Sequence, residues 1–183
     1  MHNITKDKEN KDKKDGISLD IKLNVNDIWL FSMYNANRGM LGIFNLSFTL
    51  AAIYMLLINI SSSDIPMKLL FVFFILLFSV IQPAMLYLKA FKQAKNNHIK
   101  DGFKIIFDES GFEVFQSGQS LKFEWNMVYK SAATNTMIII FLNNIRAYLI
   151  PKRYLDKDNY RLKELIKSKT RVSFFTRFTN GFK

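Results

Sequence analysis

Between Lys68 and Lys89 the chain reads LLFVFFILLFSVIQPAMLYL, with no Asp, Glu, Lys, Arg or His. At about 1.5 Å rise per residue, a helix over Leu69–Leu88 spans roughly 30 Å, the thickness of a bilayer's hydrocarbon core. A small soluble domain has little with which to cover a helix that is apolar on every face. The stretch is therefore predicted to cross a membrane. Gly39–Ser63 is also uncharged and contains LGIFNLSFTLAAIYMLLINI. Two spans are thus expected, over about 40–60 and 69–88, joined by the short turn Ser61–Pro66 as an antiparallel hairpin. Asn45 is placed to hydrogen-bond across to the partner helix. Gln82-Pro83 should kink the second span or mark where it leaves the hydrocarbon.

Charge lies outside the spans and sets an orientation. The net charge is +11. Residues 1–38 carry seven Lys/Arg against six Asp/Glu, whereas residues 89–183 carry eighteen against eight. Lys22 and Arg38 precede the first span, and Lys89, Lys92, Lys95 and Lys100 follow the second; the connecting turn has only Lys68 at its edge. Positive-inside counting puts both termini in the cytoplasm. A basic block beside two spans points to the anionic inner leaflet of the bilayer, and no nucleic-acid partner is expected. The chain has no cysteine, so disulfides and thiolate metal sites are excluded.

Outside the hairpin the pattern changes several times. Residues 1–16 form a tail of alternating Lys and acidic residues that cannot offset its ordering entropy, so disorder is expected there. From Ile17 to Val25 apolar and polar residues alternate, the signature of a half-buried strand. Asn26 and Asp27 then offer cap chemistry for a short helix carrying Ile28, Trp29, Leu30 and Tyr34, which completes a segment 17–38. After the hairpin segment 39–90, residues 91–169 read mainly as β. Phe103–Phe107, Phe112–Phe115, Leu121–Trp125, Met127–Ala133, Met137–Leu142 and Ala147–Ile150 are predicted strands, separated by turn residues. Leu121, Phe123 and Trp125 define a strand with one apolar face, while Met137–Leu142 is apolar on both, as a central strand would be. Asp156 or Asp158 is expected to cap a closing helix in which Leu155, Leu162 and Ile166 share a face. The strand Ile17–Val25 is expected to complete the sheet from the other side of the hairpin. The fold class is α+β, with the membrane hairpin inserted into a small antiparallel β domain closed by a C-terminal helix.

The stretch FDESGFEVFQSGQSLKFEWNMVYKSAATNTMIIIFLNNIRAYLIPKRYL resembles the YcxB-like family of small bacterial membrane proteins. Phe107-Asp108 with Gly111 at the first turn, Trp125 ending the third strand, and the exit Ile150-Pro151-Lys152-Arg153 carry the resemblance. It extends over most of 17–168 and is specific within about 103–155. It implies a two-span protein of the bacterial cytoplasmic membrane with a cytoplasmic domain similar to pleckstrin-homology-like folds. No activity, cofactor or catalytic residue comes with it.

The candidate chemistry is sparse. Asp108-Glu109 is a carboxylate pair without a base or metal partner, and a turn points the two side chains differently. No phosphate loop, zinc-protease or nucleophile motif appears. No catalytic residue, cofactor or metal is therefore assigned. Trp125 is read as core and Pro151 as a strand terminator. Candidate contacts for lipid or a partner are Lys152 and Arg153, which also read as solvated surface, and Arg171, Phe174, Arg177 and Phe178 in the basic, aromatic tail 170–183. Phe174, Phe178 and Phe182 follow helical spacing, as an interfacial segment would. The expected function is a non-enzymatic membrane protein whose cytoplasmic domain binds an unidentified protein partner. The alternative is an accessory or self-immunity protein acting through its hairpin.

Overall fold

The computed structural model describes residues 16–61, 64–155 and 159–171. They form two compact units, a helical one over Asn24–Lys95 and a second built from the described residues on either side of it.

The helical unit begins with α1 (Val25–Ala36). Asn24 Oδ1 accepts the Asp27 amide at 2.9 Å, and Asp27 Oδ2 accepts the Asn24 amide at 2.8 Å. This reciprocal capping box satisfies two helix-end donors and starts the helix at Val25. It corrects the expected cap at Asn26–Asp27 and the strand expected to run to Val25. The helix α2 follows over Met40–Ile58. Next come α3 (Ile65–Leu76), a π-helical turn (Leu77–Ile81) and α4 (Gln82–Ala94). These three form one helix of 30 residues, against 19 for α2, and both are long and apolar enough to cross a membrane. Only 6% and 0% of their most apolar windows are buried, so neither is the core helix of a soluble domain. Together they mark a membrane protein.

Side chains tie these helices together. Phe48 of α2 meets Phe74 and Phe78 edge-on, with centroids 5.3 and 5.6 Å apart. Asn45 Nδ2 donates to Gln82 Oε1 at 3.5 Å, the bond expected from sequence. The interruption expected at Gln82-Pro83 takes a specific form. Pro83 lacks an N–H and its ring crowds the carbonyl four residues back. The wider π turn just before it, in which Gln82 N bonds Leu77 O, loosens the ladder there, and the helix continues to Ala94. Trp29 of α1 donates from Nε1 to Pro83 O at 3.1 Å and meets Tyr87 edge-on.

The second unit contains two antiparallel sheets rather than one. The first has the order β1 (Ile17–Ile21), β2 (Phe103–Phe107), β3 (Gly111–Gln116) and β4 (Gln119–Glu124). The second joins β5 (Lys130–Ala133), β6 (Met137–Phe141) and β7 (Ala147–Pro151). A helical turn α5 (Asn97–Lys100) precedes β2, and α6 (Asn159–Lys169) closes the unit. The strand before the helical unit does complete the sheet after it: β1 pairs β2 from Ile17↔Phe107 to Ile21↔Phe103. Alternation along β1 is visible as Ile17, Leu19 and Ile21 buried with Ser18 and Asp20 exposed.

One core fills the space between the sheets and α6. It includes Ile105, Phe107, Phe112, Val114, Ile138, Ile140, Ile150, Leu162 and Ile166. As expected for a central strand, all five residues of β6 are buried. Other boundaries move. The strand expected over Met127–Ala133 begins only at Lys130, because Trp125–Met127 form a 3-10 turn. Trp125 itself leaves the strand but remains core, stacked on Phe107 and donating from Nε1 to Asp108 O at 3.1 Å. Leu155 is buried but precedes α6, and the proposed caps Asp156 and Asp158 lie outside the described residues. The single apolar face expected for Leu121, Phe123 and Trp125 also fails at Leu121, which is 57% exposed on the edge strand β4. Accordingly, Ile140→Ala should cost about 2–5 kcal/mol, whereas Leu121→Ala should stay within about 0.5 kcal/mol. Denaturant unfolding of detergent-solubilised protein, followed by tryptophan emission, measures both.

Candidate functional site

The β3–β4 connection decides which backbone groups the unit displays. Ser117 and Gly118 both adopt positive φ, 50° and 77°. That is the geometry of a two-residue type I′ turn, whose twist matches the strands it joins. Its closing pair is Gln116↔Gln119, followed by Phe115↔Ser120, Val114↔Leu121, Glu113↔Lys122 and Phe112↔Phe123. Antiparallel pairs alternate in hydrogen bonding. Gln119, Leu121 and Phe123 therefore bond toward β3, and the amides and carbonyls of Ser120, Lys122 and Glu124 point outward.

Among the described residues no strand pairs with that outer side. An edge of six residues without proline or bulge is a template for a further strand. Only the charges of Lys122 and Glu124 guard it. Leu121 lies exposed, while Phe123 is half-buried against Phe112, with ring centroids 5.2 Å apart. The far end of the edge is held tightly: a Cβ on Gly111 would lie 2.0 Å from Phe123 O, so only glycine lets β3 and β4 approach here. Trp125 N then donates to Ser110 O. The arrangement offers main-chain hydrogen bonds and one apolar contact, which is what an added extended peptide uses.

Residues 107–162 match the family model described as YcxB-like protein. The chain carries a YcxB-like domain. The comparison with curated proteins finds no match, and neither does the comparison with solved structures.

The acidic pair that opens the YcxB-like domain builds its first turn. Asp108 Oδ1 accepts the Ser110 amide at 2.7 Å, the Ser110 hydroxyl at 2.6 Å and the Gly111 amide at 2.8 Å. Glu109 pairs with Lys169 at 3.3 Å. The candidate cations are likewise tied into the structure. Arg153 donates from Nη2 to Lys22 O at 3.1 Å and lies over the Tyr154 ring. The Tyr154 hydroxyl donates to the same carbonyl at 2.9 Å. Arg153 and Tyr154 thus clamp the end of β1. Arg171 lies elsewhere: its carbonyl accepts the Ser131 amide on β5 at 2.8 Å. Phe174, Arg177 and Phe178 lie outside the described residues.

Lys152 has its pKa lowered, first by burial and second by the charge of Lys163. The native state thus holds its proton less tightly than the unfolded chain does. Stability from this group should rise with pH until the ordinary lysine value is reached. Tyr148 acts oppositely higher in the alkaline range, because burial, offset in part by Arg146, raises its pKa and favours the neutral phenol. The open β4 edge escapes sequence reasoning because alternation identifies a strand but not whether a neighbour covers its outer side. Two substitutions separate these roles. Lys152→Met should leave stability unchanged or higher and flatten its rise with pH below the ordinary lysine value. Arg153→Ala should lower it by about 1 kcal/mol at neutral pH through loss of the β1 clamp. Thermal unfolding across pH reads both.

Proposed function

We propose that this chain is a non-enzymatic integral protein of a bacterial cytoplasmic membrane whose β domain recruits a protein partner at the cytoplasmic surface. Both termini are then cytoplasmic. The flanking lysines favour that orientation. The pairing of β1 with β2 supports it, since a chain that returns to an adjacent strand crosses an intervening bilayer an even number of times. The sheets of four and three strands followed by α6 are compatible with a pleckstrin-homology-like scaffold, a fold-level analogy that says nothing about the ligand.

The observation that carries the reading is the open edge of β4, with Ser120, Lys122 and Glu124 directing backbone groups outward and Leu121 exposed beside them. A partner segment adds as a strand there. Its backbone supplies affinity, and an apolar side chain over Leu121 supplies selectivity.

A second reading places function in the hairpin, as an accessory or self-immunity protein. Its support is the polar Asn45–Gln82 pair beside a π turn, a helix irregularity frequent at functional sites. Replacing the hairpin with an unrelated two-span anchor separates the readings: the first predicts a retained phenotype, the second a lost one.

A photo-crosslinking residue at Leu121 in native membranes should capture a protein product. Lys122→Pro should abolish it, because proline removes an outward donor without removing a ladder bond. The Trp125 emission and thermal transition should survive that change. Capture that persists in a folded Lys122→Pro protein would count against strand addition.

A further inference from the structure

The side chains along β4 say what kind of strand its open edge accepts. Lys122 and Glu124 are both exposed, on the face of the sheet opposite the core. Lys122 has Glu113 as its neighbour on β3, but Glu124 lies opposite Gly111, which has no side chain. A charged neighbour for Glu124 across the sheet can therefore come only from the open side. Its carboxylate accepts one hydrogen bond, from Asn126 Nδ2 at 2.9 Å, and has capacity for more. Among the described residues neither Lys122 nor Glu124 forms an ion pair.

A cation and an anion two residues apart on one open edge can satisfy each other in a copy of the same strand. Antiparallel pairing sets residues that direct their backbone groups outward opposite one another, so Ser120, Lys122 and Glu124 must meet the same set. A two-fold arrangement then places one residue on the axis. With Lys122 on the axis, two ammonium groups lie directly opposite, which is destabilising. With Leu121 there, Lys122 meets Ser120 and Glu124 meets Gly118, and neither charge gains an opposite one. With Phe123 on the axis, Lys122 of each copy lies opposite Glu124 of the other, twice over.

The core-side face agrees with that third register. Phe123 meets its own copy as a non-hydrogen-bonded pair, the kind with the closer side chains. The exposed Leu121 becomes the diagonal neighbour of the second copy's Phe123, and the stack of Phe112 on Phe123 is continued across the axis. The ladder is short, because Trp125 enters a 3-10 turn directly after Glu124. Association through it is accordingly reversible. The charges that guard β4 against a foreign strand are the ones that select this copy.

We infer that the strand added at β4 is β4 of a second copy of this chain, antiparallel, with Lys122 opposite Glu124 in both directions and Phe123 on the two-fold axis. The inference rests on the reading of β4 as the contact edge and names its occupant.

The test uses the full chain in native membranes, expressed in two forms with different tags and a photo-crosslinking residue at Leu121. Irradiation should give a product carrying both tags. Lys122→Glu in both forms, or Glu124→Lys in both, should reduce it several-fold. Lys122→Glu in one form together with Glu124→Lys in the other should restore it, which a loss of folding in either variant would not allow. In the otherwise cysteine-free chain, Phe123→Cys should form a reductant-sensitive disulfide between copies, several-fold more than Leu121→Cys. A two-tag product that the mixed pair fails to restore would overturn the inference, as would a disulfide through Leu121→Cys in preference to Phe123→Cys. A Leu121 product containing only foreign protein would overturn it and leave strand addition at β4 standing. No product of either kind would overturn both.

Discussion

The pairing of β1 with β2 is the constraint on which the rest of this protein depends. The two strands flank the whole helical unit in sequence yet share a register from Ile17↔Phe107 to Ile21↔Phe103. The buried side chains Ile17, Leu19 and Ile21 join the same core as Ile105 and Phe107. Folding of the β unit therefore requires that both ends of the helical insertion come back together. An antiparallel pair of helices long and apolar enough to cross a membrane meets that requirement, and a single one cannot. The clamp of Arg153 and Tyr154 on the Lys22 carbonyl adds a second fastening where β1 ends.

Within the insertion, polar groups are matched locally. Thr49 and Ser79 donate to carbonyls one turn back, at Asn45 and Ile75, and Asn45 reaches Gln82 across the pair. Pro83 is absorbed by the π turn before it rather than by a break. The proposed partner contact lies in the β unit, at the open backbone edge of β4.

Much of this was legible in the sequence because it rests on local chemistry. The uncharged runs gave the two long helices. Period-two alternation gave β1, and the all-apolar run Met137–Phe141 gave the buried central strand. The turn residues Asp108-Glu109-Ser110-Gly111, Ser117-Gly118 and Asn143-Asn144 fell where the hairpins close. What the sequence concealed depends on tertiary neighbours. Leu121 has the pattern of an inward residue, but an edge position leaves it exposed. Val25 continues the alternation of β1, yet the Asn24–Asp27 box captures it for α1. Arg153 looks like free surface charge until the end of β1 is placed beneath it. The stretch 107–162 that matches the YcxB-like family model was readable mainly as β, but the division of the strands into two sheets was not.

The most direct test is a disulfide across β1 and β2 in this cysteine-free chain. Asp20 and Lys104 are paired directly. The β2–β3 turn closes on the Asp108–Gly111 bond, so alternation makes Asp20–Lys104 a non-hydrogen-bonded pair, the closer of the two kinds. Asp20→Cys with Lys104→Cys should form an intramolecular disulfide on mild oxidation in native membranes, seen as a mobility shift reversed by reductant. Asp20→Cys with Glu113→Cys, on non-neighbouring strands, should not. Failure of the first pair to cross-link, or cross-linking only between chains, would contradict the insertion of the hairpin into this sheet.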